Sequence, residues 1–202
     1  MKRLFAIAAA LCLSTAAFSQ AQFSIGLKAG PNFANINTES SAGSNYKNRT
    51  GFHGGAFALL KFAKIGIQPE LLFSQQGSKV KFNGGDVEAN YNYFNIPIIV
   101  KLYTVAGINL QVGPQFGFVA GGEQKFTDQT TGIQTTQDAQ DVLKSSDFSA
   151  ALGVGWDLPF GLSIDGRYNL GLSDVSKGSL SPEAKNQVWQ VSVGYKLFKF
   201  GK

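Results

Sequence analysis

The chain has one cysteine, one methionine and one histidine in 202 residues, and only 15% of its residues are charged. Each shortage excludes something. Cys12 has no second cysteine to bridge to, and it lies in a leader-like segment; a chain that loses that segment has no thiol for a disulfide, a Cys-ligated metal or a nucleophile. A lone histidine, His53, leaves no partner for a histidine-based metal site. Charge this sparse does not coat a water-soluble surface in the usual way. After the leader, no run reaches the 18 or more consecutive apolar residues that a transmembrane helix needs. What is plentiful is glycine, 24 residues, and phenylalanine, 17, a composition poor in helix formers.

Lys2 and Arg3 precede an apolar run from Leu4 to Leu13, too short to span a bilayer, and Ala17-Phe18-Ser19 or Ser19-Gln20-Ala21 offers a small-residue cleavage site. Residues 1–21 read as a secretory signal peptide, and 22–202 as one domain without an interdomain linker. A lipid-anchored Cys12 is disfavoured by the bulky Leu11 before it and the apolar run beyond it. Loss of Lys2 and Arg3 lowers the formal charge from +5 to +3, too thin a surplus to argue for nucleic acid.

The rest of the chain repeats one unit, about ten residues of period-two alternation followed by a connection. Eight strands are expected, near residues 22–31, 51–62, 65–76, 90–103, 108–118, 148–156, 162–172 and 189–197. One face of the first carries Phe23, Ile25, Leu27 and Ala29, the other Ser24, Gly26, Lys28 and Gly30. The second sets Phe52, Ala56, Ala58, Leu60 and Phe62 against His53 and Lys61. Later strands repeat the division: Phe94, Ile96, Ile98 and Leu102 oppose Tyr91, Tyr93, Asn95 and Lys101, and Trp189, Val191, Val193 and Tyr195 oppose Gln190, Ser192, Gly194 and Lys196.

Long polar connections at 32–50, 77–89, 122–146 and 174–186 alternate with short ones at 63–64, 104–107 and 158–161. This arrangement fits an all-β fold, an eight-stranded antiparallel up-and-down transmembrane β-barrel with short periplasmic turns and long extracellular loops in the cell outer membrane. In hydrocarbon every backbone polar group must be paired within the protein, so a spanning sheet has to close. Phe62, Tyr103, Trp156 and Phe160 beside the turns, and Trp189 and Tyr91 at the other rim, are placed as interfacial girdles. A soluble lipocalin-like barrel would share the alternation but turn its apolar face inward. Its other face would then meet water, yet here that face is chiefly glycine, serine, asparagine and glutamine with a few ions of both signs.

Such a face suits a narrow lumen. Eight strands enclose a bore just wide enough for side chains to fill, where an unpaired charge is costly and a hydrogen-bonded network is tolerated. Lys28, Glu70, Lys101, Asp165, Arg167 and Lys196 are the candidates for that network, with Glu70 expected to pair across the lumen with Lys101 or another of these bases.

Three segments carry a family likeness. Gln68-Pro69-Glu70-Leu71-Leu72-Phe73-Ser74, then Tyr93-Phe94-Asn95-Ile96-Pro97 leading to Lys101, then Gly113-Pro114-Gln115-Phe116-Gly117 resemble the strand motifs of the PorT-like outer-membrane β-barrel domain of Bacteroidetes-type bacteria, a "porin family" grouping. The likeness spans essentially the whole mature chain. It implies architecture more than activity, because such barrels mostly have no demonstrated substrate; PorT itself would imply protein secretion, and no residue here singles that member out. The terminal aromatic of the outer-membrane pattern is Phe200, followed by Gly201 and Lys202. Pro69, Pro97 and Pro114 lie inside expected strands, where each removes a ladder donor, and bulges at those positions are the available remedy.

Chemistry is scarce. His53 is expected near the outer end of the second strand; a lipid-modifying enzyme centred on it would need a serine and an acid that cannot be placed beside it from sequence, so a polar rim residue is the preferred reading. Gly153-Val154-Gly155 is a fragment of a nucleotide fingerprint but lies in a strand with no helix after it. Glu123, Asp128, Asp138 and Asp141, and Asp86 after two glycines, lack the alternating spacing of a calcium loop. The expectation is therefore a monomeric barrel with no cofactor, no metal and no catalytic residues, its polar lumen plugged, acting structurally or through its loops. Its partners would be outer-membrane lipids, lipopolysaccharide and, during biogenesis, the barrel assembly machinery. A small porin for hydrophilic solutes is the competing reading.

Overall fold

A sheet stops having edges only when its first strand pairs with its last, and this chain does so. The computed structural model describes residues 21–38, 45–82, 85–142, 144–173 and 184–201. Within them run β1 (Ala21–Thr38), β2 (Asn45–Phe62), β3 (Ile65–Phe82), β4 (Gly85–Tyr103), β5 (Ile108–Asp128), β6 (Gln134–Asp138), a short helix α1 (Ala139–Val142), β7 (Ser146–Asp157), β8 (Leu162–Gly171) and β9 (Ala184–Phe200). All pairings are antiparallel, and the ring runs β1-β2-β3-β4-β5-β7-β8-β9 and back to β1, eight strands in all. The seam between β9 and β1 extends from Phe23 opposite Phe200 to Thr38 opposite Ala184. There the Phe23 and Phe200 rings stack with centroids 6.2 Å apart.

The alternation sorts as the sequence expects. Leu27, Val193, Leu71, Leu110 and Val154 point outward and are each about half exposed, while Ser24, Lys28, Asn95, Gln111, Asp165 and Ser192 point inward and are buried. The apolar side chains of this molecule are therefore on its outside and the polar ones along its axis, the inverse of a soluble barrel. Phe62, Trp156, Phe160 and Trp189 lie on the outer face at the rims, but Tyr91 and Tyr103 do not. Both are buried inward-facing residues whose hydroxyls donate to Gln124 and Asp157, so they are not girdle residues.

Three further expectations are corrected. The strands of the loop side are longer than the apolar alternation indicates: β3 and β4 pair continuously from Gln76 opposite Tyr91 to Phe82 opposite Gly85, so residues 77–89 are mostly a hairpin rather than a long loop. Above the lipid belt neither face has to be apolar, and the periodic signal fades while the ladder continues. The 122–146 connection likewise contains the end of β5, β6 and α1, with β6 pairing to β5 from Glu123 opposite Asp138 to Thr127 opposite Gln134. Of the 32–50 and 174–186 connections, residues 39–44 and 174–183 lie outside the described residues, as do residues 1–20 of the expected leader.

The prolines make no bulges. Pro69 faces Ile98, Pro97 faces Gln115 and Pro114 faces Ala150 in a register that is the same on both sides of each. The register shifts lie elsewhere, at Ile25/Gly26, Asn48/His53 and Asn92/Tyr93. The third of these adjoins Gly121 and Gly122, with φ of 149° and 128°, and a Cβ on Gly122 would collide with the Asn90 carbonyl. A missing N–H is thus absorbed by local loss of pairing, and bulges are placed where glycine permits the turn.

Finally, the lumen is not polar all round. Phe57, Leu59, Leu72 and Ile99 face inward from β2, β3 and β4 and are buried. They form an apolar sector of the interior wall that the amide and charge pattern of the other strands did not announce.

Candidate functional site

The inward faces of the strands stack the lumen in three polar tiers. In the middle tier, Arg167 on β8 donates from its two terminal nitrogens to Glu70 Oε2 at 2.8 Å and Glu70 Oε1 at 2.7 Å. In ring order β3 and β8 are opposite walls, so this fork crosses the bore. Its geometry is the planar bidentate match that guanidinium offers a carboxylate. Arg167 Nε also donates to Gln111 Oε1 at 2.6 Å, and Gln111 donates to Asp165 Oδ1 at 2.5 Å. Lys28 on β1 bridges the two acids, 3.1 Å from Asp165 and 3.4 Å from Glu70. Gln68 completes the shell of Glu70 with a 2.6 Å donation.

Glycine makes this crowding possible. A Cβ on Gly155 would meet Gln111 and Asp165, one on Gly153 would meet Arg167, and one on Gly194 would approach Lys28 and Ser163. The Gly153-Val154-Gly155 fragment therefore lines the lumen opposite long side chains, with Val154 outward.

Towards the turns, Asp157 gathers a second tier. Lys101 donates to it at 3.2 Å, Lys196 at 2.7 Å and the Tyr103 hydroxyl at 2.9 Å. Lys101 also lies 3.6 Å from Asp165, which joins the two tiers. Towards the loops, His53 is fully buried, with Nδ1 2.7 Å from Asn32 Oδ1 and Nε2 2.7 Å from Ser192 Oγ. It is thus a mid-strand lumen residue of β2 rather than a residue at the rim.

All six of Lys28, Glu70, Lys101, Asp165, Arg167 and Lys196 are buried inward-facing residues. Glu70 meets Arg167 and Lys28; Lys101 turns instead to Asp157 and Asp165, and Lys196 to Asp157. Sequence reasoning missed Asp157, whose signal was available: it continues the inward parity of Ser149, Ala151, Gly153 and Gly155 one step past the expected strand end. It also missed the environment of His53, because Ser192 and Asn32 come from β9 and β1 and only ring closure brings them to β2.

Asn32 Oδ1 also accepts from Gln190 at 3.1 Å, and Asn32 Nδ2 donates to Ser74 Oγ at 2.8 Å. With Asn32 Oδ1 accepting from Nδ1, the free imidazole lone pair is on Nε2, aimed at the Ser192 hydroxyl. This is the order of a nucleophile, base and orienting group. Ser192, His53 and Asn32 are all buried within the bore. Among the described residues, no group of three or more His, Cys, Asp or Glu side chains could hold a metal.

Beyond the belt, the loop side holds a blade of β4, β5 and β6. The turn at its tip is fixed by Asp128, whose carboxylate accepts from the Thr130 and Thr131 amides at 2.7 and 3.0 Å. Those backbone donors hold the Asp128 carboxyl below its ordinary pKa. At the blade's foot, Ala139 of α1 packs with Ala89, Tyr91 and Tyr93 of β4.

Comparison with solved structures places this architecture among small outer-membrane barrels. The attachment invasion locus protein Ail of Yersinia pestis is similar over 90% of this chain and 99% of its own, at 15% identity and a TM-score of 0.52. Neisserial surface protein A is similar over 87% of this chain and 99% of its own, at 11% identity and a TM-score of 0.52. At such identities the likeness concerns the fold. Comparison with curated proteins finds no match. A family model described as the outer membrane protein beta-barrel domain matches residues 18–177. With an inside-out distribution of polarity, a closed eight-strand ring and that match, the chain belongs to the outer membrane protein β-barrel domain family and resides in the outer membrane.

Proposed function

We propose that this protein is a non-conducting outer-membrane barrel that acts structurally or through its loops, exported by residues 1–21 and folded from 22–202 as a monomer. The observation that carries this reading is the Arg167–Glu70 fork across the bore. A hydrated ion would have to displace it together with Lys28 and Asp165. Separating the fork uncovers two buried charges, which costs about 3–5 kcal/mol for a broken buried pair. The apolar sector of Phe57, Leu59, Leu72 and Ile99 further narrows the wetted part of the bore. Outer-membrane lipids and lipopolysaccharide surround the belt, and the barrel assembly machinery delivers it.

The finer affiliation with PorT-like barrels rests on the Gln68–Ser74, Tyr93–Pro97 and Gly113–Gly117 motifs, each of which contributes to the lumen through Glu70, Asn95 or Gln115. No catalytic role is proposed: His53, Asn32 and Ser192 are buried and hydrogen-bonded to one another. The test is single-channel recording in planar bilayers. The plugged reading expects no steady openings from the wild-type protein. Steady openings would establish the competing small pore for hydrophilic solutes, and Arg167→Ala would then be expected to widen it.

A further inference from the structure

We infer that the turn-side mouth of the barrel binds the anionic headgroup of a periplasmic-leaflet phospholipid. The inference rests on the outer-membrane reading and its orientation, and it adds a ligand class and a place. The starting observation is an imbalance of charge. In the middle tier two acids, Glu70 and Asp165, balance Lys28 and Arg167. At the mouth one acid, Asp157, lies between Lys101 and Lys196. Lys61, Lys64 and Lys199 add three more cations, and among the described residues of the turns and strand ends there, Asp157 is the only carboxylate.

The cations are held rather than scattered. Lys61 Nζ lies 4.0 Å from the centroid of the Tyr103 ring, and the hydroxyl of that ring donates to Asp157. Lys199 Nζ donates to the Pro159 carbonyl at 3.2 Å, on the turn that leads into β8. Lys61 and Lys199 are thus fixed by a ring face and a carbonyl, neither of which neutralises an ammonium.

Their depth points to lipid. Lys61 is followed by the exposed Phe62, and Lys199 is flanked by the exposed Phe198 and Phe200. Trp156, on the same rim, donates from its indole to the Ala106 carbonyl at 3.0 Å. Aromatic rings of this kind mark the headgroup level, so Lys61 and Lys199 lie at the height of the phosphates, and Lys199 is tied to the β7–β8 turn on the rim itself. An apolar groove of about 360 Å³ between Ile108, Val154, Trp156 and Ile164 opens on the outer face of β5, β7 and β8, beside the β7–β8 turn to which Lys199 is bound, where an acyl chain can lie. Charge complementarity then selects an anionic phospholipid over a zwitterionic one, each lysine near such a surface contributing roughly fivefold in affinity.

The experiment is native mass spectrometry of the full barrel refolded in non-ionic detergent with equal phosphatidylglycerol and phosphatidylcholine. The expected result is retention of phosphatidylglycerol over phosphatidylcholine by about tenfold or more, falling to near parity in K61Q/K64Q/K199Q. Equal retention of both lipids by the wild type would overturn the proposal, as would a preference that survives in the triple variant. Displacement of phosphatidylglycerol by millimolar inorganic phosphate would assign the site to free oxyanions and overturn the lipid source. Heat-modifiable gel mobility, checked for both proteins, separates this from the parent reading: a folded barrel without the preference defeats only the headgroup site, and an unfolded one defeats both.

Discussion

Arg167 on β8 spans the bore to hold both carboxylate oxygens of Glu70 on β3, at 2.7 and 2.8 Å. The two residues are 97 apart in sequence and lie on opposite walls, so their pairing cross-braces the ring from inside. Glu70→Ala leaves Arg167 and Lys28 short of a counter-ion in a buried site. A loss of about 3–5 kcal/mol is expected, read as a lower urea midpoint of the refolded barrel. An unchanged midpoint would mean the brace contributes nothing. In a double-mutant cycle with Arg167→Ala the two losses should be strongly non-additive.

His53→Ala removes two 2.7 Å hydrogen bonds and leaves Asn32 and Ser192 facing a void. A destabilisation of about 2–4 kcal/mol is expected. The lipid A of cells carrying the variant should have an unchanged mass spectrum, and Ser192 should resist fluorophosphonate labelling. A mass shift or a labelled serine would revive the lipid-modifying reading.

Leu27 is 53% exposed in the middle of the apolar belt. In water, an arginine at an exposed strand position would be tolerated. In a bilayer, Leu27→Arg should cost about 2–4 kcal/mol, and Phe62→Arg at the rim only about 0–1. Equal tolerance of both substitutions would contradict immersion of this face in lipid.

The Asp128 turn gives a pH dependence on the loop side. Its amide donors from Thr131 and Thr130 depress the folded pKa of this exposed carboxyl. A depressed carboxyl stabilises the folded turn above its unfolded pKa, and the contribution is lost as pH falls through the folded value. Amide exchange at Thr130 and Thr131 should therefore stay slow through the ordinary carboxylate range and quicken only in stronger acid. Asp128→Ala should abolish the protection at neutral pH, and protection indifferent to both changes would remove the cap from the account.

Ring closure and strand number were legible because lipid demands an apolar outer face, and Phe23, Ile25 and Leu27 or Trp189, Val191 and Val193 write that demand at period two. The six lumen ions were legible for the complementary reason, as rare charges on the other parity. Beyond the belt the demand lapses, and so the continuation of β3 and β4 past Gln76 left no pattern. Partner choice was illegible as well. Whether Glu70 meets Lys101 or Arg167 depends on which strands face each other across the bore and on the stagger set by bulges such as Ile25/Gly26, neither of which is a local property. Tyr91 and Tyr103 were misplaced because tyrosine suits an interface and a polar interior equally.

The seam at Phe23 and Phe200 joins the first and last strands of the ring, which are far apart in sequence. No partial product of synthesis can therefore satisfy its own hydrogen bonds in a bilayer: until the last strand is delivered, β1 has a bare flank. Closure of the ring therefore cannot precede the arrival of β9, and the seam is the last ladder that can form.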